Sequence, residues 1–291
     1  MRFKLLLLYF LLYNLSNEAL AQMGDNANAD ILQENKSVKI DLESSVVPQT
    51  KFDFSFKRDA VLLGGGIALA VSGQLIKNSV APLTDAEILA LDRSTINAFD
   101  RGATYQNKAR DGTISDYLLG FSLVAPFSVL ASRSVRQEVT PILMMYLETG
   151  TLVAGLTNIS KGLVQRTRPL AYNDDFTLSY KRRIGTRHSF FSGHTSTSAA
   201  FMFLTASMVQ HYADKPAWKY AAWSGAVVIP GTIAYLRYSA GKHFPSDVLV
   251  GYAVGAGCGL LIPALHRAEL PKDISFSIHP TPYGVLITAR F

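Results

Sequence analysis

Six apolar stretches, at 60–76, 117–132, 139–160, 195–210, 220–236 and 248–265, dominate the chain, and all but the third lack charge entirely. Each is too long for an ordinary strand and long enough for about four or five helical turns. Local signals agree with helices: Thr140-Pro141 and Pro216 suit first-turn positions, and Ser246 is placed to cap a helix that Asp247 opens. The expected fold is therefore all-α, a bundle of about six apolar helices over 60–266. The uncharged lengths lie at the short end of what a bilayer crossing needs, and many contain Ser, Thr, Gln or several Gly. Membrane embedding is favoured, with a buried soluble bundle as the alternative.

The flanking segments have other patterns. Arg2 and Lys4, an apolar run from Leu5 to Leu12, and Ala19-Leu20-Ala21 make residues 1–21 a secretory signal with a small-residue cleavage site. Residues 22–59 are polar and read as a linker. Thr84-Asp85-Ala86-Glu87 forms a capping box, and Ile88, Leu91, Ile96 and Phe99 then give one apolar stripe, which predicts an extra amphipathic helix on the bundle surface. The tail, 267–291, alternates polar and apolar residues around Pro280-Thr281-Pro282-Tyr283-Gly284 and reads as a β-hairpin. A lone cysteine, Cys258, excludes an intrachain disulfide and a cysteine-based zinc site. The net charge of +6 suits an anionic partner without choosing among nucleic acid, anionic lipid and phosphate esters.

Three short segments place basic and histidine side chains at the ends of apolar helices. Lys161 to Pro169 reads K-x6-R-P after the third stretch, Ser189 to Ser196 contains Ser192-Gly193-His194 before the fourth, and Arg237 to Asp247 reads R-x5-H-x3-D between the fifth and sixth. In an up-and-down bundle all three fall at one end and converge. Two abut helix N-termini, where free N–H groups and the helix dipole favour an anion, and Lys161, Arg168 and Arg237 add cationic donors. The site is suited to phosphate or a similar oxyanion. Two histidines in such a pocket can divide the work of attacking phosphorus and protonating the leaving oxygen. Asp247, four residues after His243, is placed to accept its ring N–H. No acidic cluster or His pair at metal-ligand spacing accompanies the site, so no metal is required there.

These three ordered segments resemble the signature of the type 2 phosphatidic acid phosphatase and vanadium haloperoxidase superfamily, over residues of about 60–266. The resemblance implies that Lys161, Arg168 and Arg237 bind the phosphate oxygens, with Ser192 and the Gly193 N–H completing the cradle. It implies that His243 is the nucleophile forming a phosphohistidine, Asp247 its orienting partner, and His194 the general acid that later activates water. No cofactor or metal is implied, and vanadate is expected to inhibit. Phe191 stands where the family usually has Pro, and Leu236 where it usually has Ser. Phe191 is expected to pack.

The resulting expectation is a bacterial envelope lipid phosphatase of this family, acting on a phosphate monoester or pyrophosphate. Candidate substrates are lipid A, undecaprenyl pyrophosphate, phosphatidylglycerol phosphate and phosphatidic acid, with no nucleic acid or protein partner. A soluble exported acid phosphatase of broad specificity is the alternative; a haloperoxidase and a non-enzymatic lipid binder are weaker readings. The expected location is the cell envelope, membrane-associated, with the site at the periplasmic face, although counting six crossings after a cleaved signal puts the motifs on the cytoplasmic side. Lys181-Arg182-Arg183 and Arg187-His188 are candidates for a second phosphate or a lipid head group. Glu148 is expected to be a structural partner for a buried Arg or polar group, and His211, His266 and His279 to be incidental.

Overall fold

A computed structural model describes residues 51–132 and 135–268, together with the backbone of 275–281 and 284–290. The expected signal segment and most of the expected linker lie outside the described residues. Nine α-helices occur among the described residues: α1 Phe56–Asn78, α2 Asp85–Leu89, α3 Ala98–Arg101, α4 Ala109–Val124, α5 Val139–Val164, α6 Leu178–Lys181, α7 Gly193–Tyr212, α8 Pro216–Ser239 and α9 Pro245–Leu265. Six are long and three are single turns. The long helices are those the apolar stretches predict, with shifted edges. The second begins eight residues earlier than expected, at Ala109, and passes into a 3-10 segment at Ala125, next to Pro126, whose ring disfavours a continuing α-helix.

The six long helices run up and down. Gly73 packs against Ile159 and Gly162 against Ile76, so α1 lies parallel to α5. In the opposite sense, Thr157 and Ser196 join hydroxyls at 3.1 Å between α5 and α7. One end of the bundle, the head, therefore carries the ends of α1, α5 and α8 and the starts of α4, α7 and α9. Helix α7 is central, with Thr195, Ser196, Ser198, Ala199 and Ala200 all buried. Its low hydropathy follows from that position: small residues let neighbours approach, and the hydroxyls return to the backbone, as Ser198 Oγ does to Thr195 O at 3.1 Å. Helix α9 takes advantage of this. A Cβ on Gly251 would stand 2.7 Å from Ser192 O, and one on Gly255 would collide with Ser196 O.

The opposite end of the bundle is closed by a cluster of Phe52, Ile142, Met145, Phe201, Leu204, Met208 and Ile262. Burial of each large apolar side chain contributes on the order of 1.5–3 kcal/mol. Helix α1, the runs Ala109–Ala131 and Val139–Tyr172, and helix α9 are long and apolar enough to cross a membrane. Val61, Val71 and Leu75 of α1, Tyr117 and Phe121 of α4, Val228 and Tyr235 of α8, and Leu249 and Leu261 of α9 are exposed. An apolar exterior on so many outer helices is the surface a lipid environment requires, and the protein is membrane-associated.

Three local expectations need correction. The single amphipathic helix after Thr84 is instead three short turns, α2, the 3-10 turn Arg93–Thr95 and α3. The capping box forms, but Asp92 then accepts from Ser94 N at 2.8 Å and Asn97 from Asp100 N at 3.0 Å, so the chain is capped anew every few residues. Ser246 does not cap α9. The helix starts at Pro245 after Phe244, and Asp247 reaches back to accept Phe244 N at 2.9 Å. Finally, the last residues of the expected linker are docked: Phe52 is buried and bridges to Arg267, and α1 begins at Phe56. In the tail, the backbone of Ser275–Thr281 runs antiparallel to Gly284–Arg290.

Candidate active site

The head of the bundle gathers all three motif segments. Helix α5 ends because Gln165 adopts a left-handed conformation, φ 48°, returning its N–H to Lys161 O. That turn leaves Lys161 buried, with Nζ donating to His188 O at 2.9 Å, and sends Arg166 to Arg168 back across the helix ends. Arg168 is anchored through its own backbone, N to Thr186 O at 2.8 Å, and its Nη2 lies 3.5 Å from the same His188 O. Between α8 and α9 the chain turns at Gly241, φ 66°, where a Cβ would collide with Gln106 O. Gly241 O accepts Leu170 N at 2.9 Å, which locks the first motif to the third.

His243 is 1% exposed. Its Nδ1 donates to Ser189 O at 2.8 Å, whereas Asp247 Oδ2 stands 3.6 Å away. The orientation expected from Asp247 is thus exerted at one remove. Asp247 is fully buried and accepts Ser189 Oγ at 2.5 Å, Phe244 N at 2.9 Å and Arg166 Nη1 at 2.6 Å. It holds Ser189, and the Ser189 carbonyl holds the ring. With Nδ1 committed, Nε2 is the nitrogen left for chemistry. Burial, reinforced by the positive charges of Arg168, Lys161 and Arg237, pushes the ring's proton affinity well below that of ordinary histidine. His243 is therefore neutral at pH 7, with a lone pair on Nε2.

Ser192 caps α7 and is fully buried, its N–H bonded to Asp247 O at 3.1 Å and its Oγ 3.0 Å from Thr195 Oγ1. Gly193 opens the helix, so its N–H belongs to the unpaired first turn. A Cβ there would stand 3.6 Å from Lys161 Cε, which places the helix head against the lysine. His194 follows, at the bundle's head. Its Nε2 lies 2.8 Å from Asp116 Oδ1, and the same oxygen accepts Arg237 Nη1 at 3.2 Å. Burial and the Arg237 charge lower His194 to about 4, against the pull of Asp116. Arg237 is 4% exposed and also donates to Ser115 Oγ at 3.3 Å.

The structure thus brings together Lys161, Arg168, Arg237, Ser192, Gly193, His194, His243 and Asp247. Two donors inside this group, Arg168 Nε and Arg237 Nε, are buried without a hydrogen-bond partner. Buried guanidinium N–H groups are costly to leave unpaired, and an oxyanion with several lone pairs satisfies them. Phe191 is buried at 5%, with its ring edge-on to Phe190, as the packing expectation required.

Several functional side chains escaped the sequence reading. Arg166, at an unspecified position within K-x6-R-P, forks between Asp247 at 2.6 Å and Asp100 at 2.7 Å, and stacks 4.0 Å from the Phe244 ring centroid. Asp100 in turn accepts Ser246 N and Oγ. Asp116 and Ser189 carried no signal beyond proximity to a helix end or motif. The basic loop is more occupied than expected. Arg182 pairs with Asp85, Arg187 pairs with Glu87, and Lys181 is buried, so the loop is fastened to α2. His188 is lowered to about 4, chiefly by burial and then by Lys161 and Arg168. Among the described residues, the group of possible metal ligands that lies together, Asp59, Glu148 and His266, stands at the other end of the bundle.

A helical bundle with a buried cationic cradle at the N-terminus of its central helix, flanked by two histidines, is suited to holding an oxyanion. Residues 142–270, which hold all three motifs, match the PAP2 superfamily. Among solved structures, the chain is similar to the crystal structure of the first transmembrane PAP2 type phosphatidylglycerolphosphate phosphatase from Bacillus subtilis. The identity is 20%, the TM-score 0.41, and the alignment covers 71% of this chain and 94% of that one. No curated protein matches the sequence.

Proposed function

We propose that the protein is a phosphatase that hydrolyses a phosphate monoester or pyrophosphate on a membrane lipid, through a phosphohistidine on His243. The observation that carries this reading is the pair of buried, unpartnered guanidinium nitrogens, Arg168 Nε and Arg237 Nε, beside a histidine whose Nδ1 is already bonded. Three phosphate oxygens would be held by Lys161, Arg168, Arg237, Ser192 and the Gly193 N–H. His243 Nε2 donates its lone pair to phosphorus as the bond to the leaving oxygen breaks, and His194 supplies the proton to that oxygen. The negative charge of the bound ester offsets Arg237 and draws a proton onto His194. Water then gives its proton to His194 and attacks the phosphohistidine; the P–N bond breaks and inorganic phosphate leaves. No residue in this scheme calls for a metal, and vanadate is the expected inhibitor.

The lipid part of the proposal rests on the apolar exterior and on an open apolar groove of about 290 Å³ lined by Phe99, Ala234, Tyr235, Tyr238, Val248 and Leu249. It lies between α8 and α9, close in sequence to Arg237 and His243, and suits an acyl or isoprenoid chain whose head group enters the cradle. The substrate types this fits are lipid A, undecaprenyl pyrophosphate and phosphatidic acid, in the cell-envelope membrane, with the N-terminal segment directing export and the site on the periplasmic face. The test is phosphate release by purified protein from a panel of these lipids in mixed micelles and from a water-soluble aryl phosphate, with no metal added. Turnover of a lipid that is lost in His243→Ala supports the proposal. Faster turnover of the aryl ester than of every lipid overturns the lipid assignment in favour of a broad-specificity acid phosphatase, and turnover that survives His243→Ala overturns the mechanism.

A further inference from the structure

At the end of the bundle opposite the cradle, three elements each bring one buried titratable side chain to a common point. Asp59 comes from the first turn of α1, Glu148 from α5, and His266 from the residue that follows α9; they are 1%, 0% and 0% exposed. His266 Nδ1 donates to Ile262 O at 2.9 Å, so in the neutral ring Nε2 carries a lone pair. That nitrogen stands 3.3 Å from Asp59 Oδ1 and 3.3 Å from Glu148 Oε2. Both Glu148 oxygens and His266 Nε2 are buried without a hydrogen-bond partner. Left alone, two carboxylates and a lone pair facing one another in a dry interior repel, and Glu148 and the His266 nitrogen lack the partner that burial demands.

The neighbouring cation does not supply it. Arg58 directs its nitrogens to Asp53 Oδ1, Asp53 O, Asp59 Oδ1 and Leu265 O, and none to Glu148. Asp53, Asp59 and Glu148 against Arg58 leave two negative charges, which a dication cancels. The spacing is also that of a metal site. For metal–ligand bonds of about 2.0–2.1 Å, tetrahedral angles put neighbouring ligand atoms roughly 3.3–3.4 Å apart. The outer contacts follow suit: the ring's other nitrogen is fixed by a backbone carbonyl, and Asp59 accepts Ser55 N at 3.0 Å and Arg58 Nε at 2.7 Å.

We propose that Asp59, Glu148 and His266 hold one divalent cation of the zinc type, which pins α1 and the end of α9 to α5. The role is structural, and the site is separate from the cradle, whose Lys161 lies more than three turns further along α5 than Glu148.

The test uses untagged full-length protein in detergent, analysed for metals by mass spectrometry and for thermal unfolding before and after prolonged chelation and zinc readdition. The expected result is about one zinc per chain, a midpoint that falls on chelation and returns with zinc, and metal loss in Glu148→Gln and His266→Ala but not in Asp53→Asn. If the ligand variants do not accumulate, Co2+ added to the chelated wild-type protein decides, the expected result being the intense visible absorption of a tetrahedral site. Wild-type protein that carries no metal, shows no Co2+ spectrum and melts identically with chelator or zinc would overturn the proposal and leave a shared proton as the occupant.

Discussion

Replacing Arg166 by alanine is expected to destabilise the protein by about 3 kcal/mol, although Arg166 fills an unspecified position of its motif. Its fork holds two carboxylates that have little access to water: Asp247 is 0% and Asp100 2% exposed, at 2.6 and 2.7 Å. Removing one partner of a buried pair costs about 3–5 kcal/mol because the other charge is stranded. The lower end applies because the Arg166 side chain is itself 23% exposed, so water can enter the space it leaves. For a domain of this size, about 3 kcal/mol corresponds to a fall of roughly 6–12 °C in the thermal midpoint, read by intrinsic fluorescence in detergent. Arg166→Lys should fall between, keeping the charge but not the fork. Adding Asp100→Asn to Arg166→Ala should recover part of the loss, since one of the two stranded charges disappears. The rate of phosphate release should fall as well, because Asp247 would no longer hold Ser189 against His243. A midpoint within about 2 °C of wild type, with unchanged turnover, would refute the reasoning.

Three further outcomes follow from the same geometry. Asp116→Asn should lower both kcat and KM, kcat by about tenfold, since it removes a charged partner of His194 and at the same time a negative charge beside the incoming phosphate; an unchanged kcat on a poor leaving group would exclude the positioning role. Because burial and three cations hold His243 neutral far below the usual histidine range, the acid limb of kcat/KM should lie well under pH 6.5, and Arg168→Ala should move it upward; a limb at ordinary histidine pH would contradict the electrostatics. Gly255→Leu should abolish accumulation of folded protein, whereas Gly257→Ala, where a Cβ meets nothing within 4 Å, should be tolerated; equal behaviour of the two would contradict the close contact of α9 with α7.

The bundle and the convergence of the three motifs were legible in the sequence because both rest on local signals. Long uncharged runs announce helices, and up-and-down connection alone brings their ends together. The cradle's supporting parts were not legible, because each is a contact between distant segments. Arg166 finds Asp247 across the bundle head, Asp116 meets His194 from α4, and Ser189 stands between Asp247 and His243, where an i, i+4 spacing suggested a direct bond. The single helix expected after Thr84 failed for a local reason, the repeated capping by Asp92 and Asn97, which an apolar stripe does not register. His266 looked incidental because its companions, Asp59 and Glu148, lie far away along the chain. Glu148 was expected to partner a buried Arg or polar group; neither of its oxygens is hydrogen-bonded, and His266 Nε2 stands 3.3 Å from it.

The most direct test of the central claim is to trap the phosphoryl group on the protein. Wild-type, His194→Ala and His243→Ala proteins would be mixed with 32P-labelled aryl phosphate, whose good leaving group needs no proton, and quenched in alkali. The account predicts label on a peptide containing His243, acid-labile and alkali-stable. Label should be brief in wild type, accumulate in His194→Ala where water is no longer activated, and be absent from His243→Ala. Phosphate release by wild type with no label on the protein, or label that persists in His243→Ala, would contradict it.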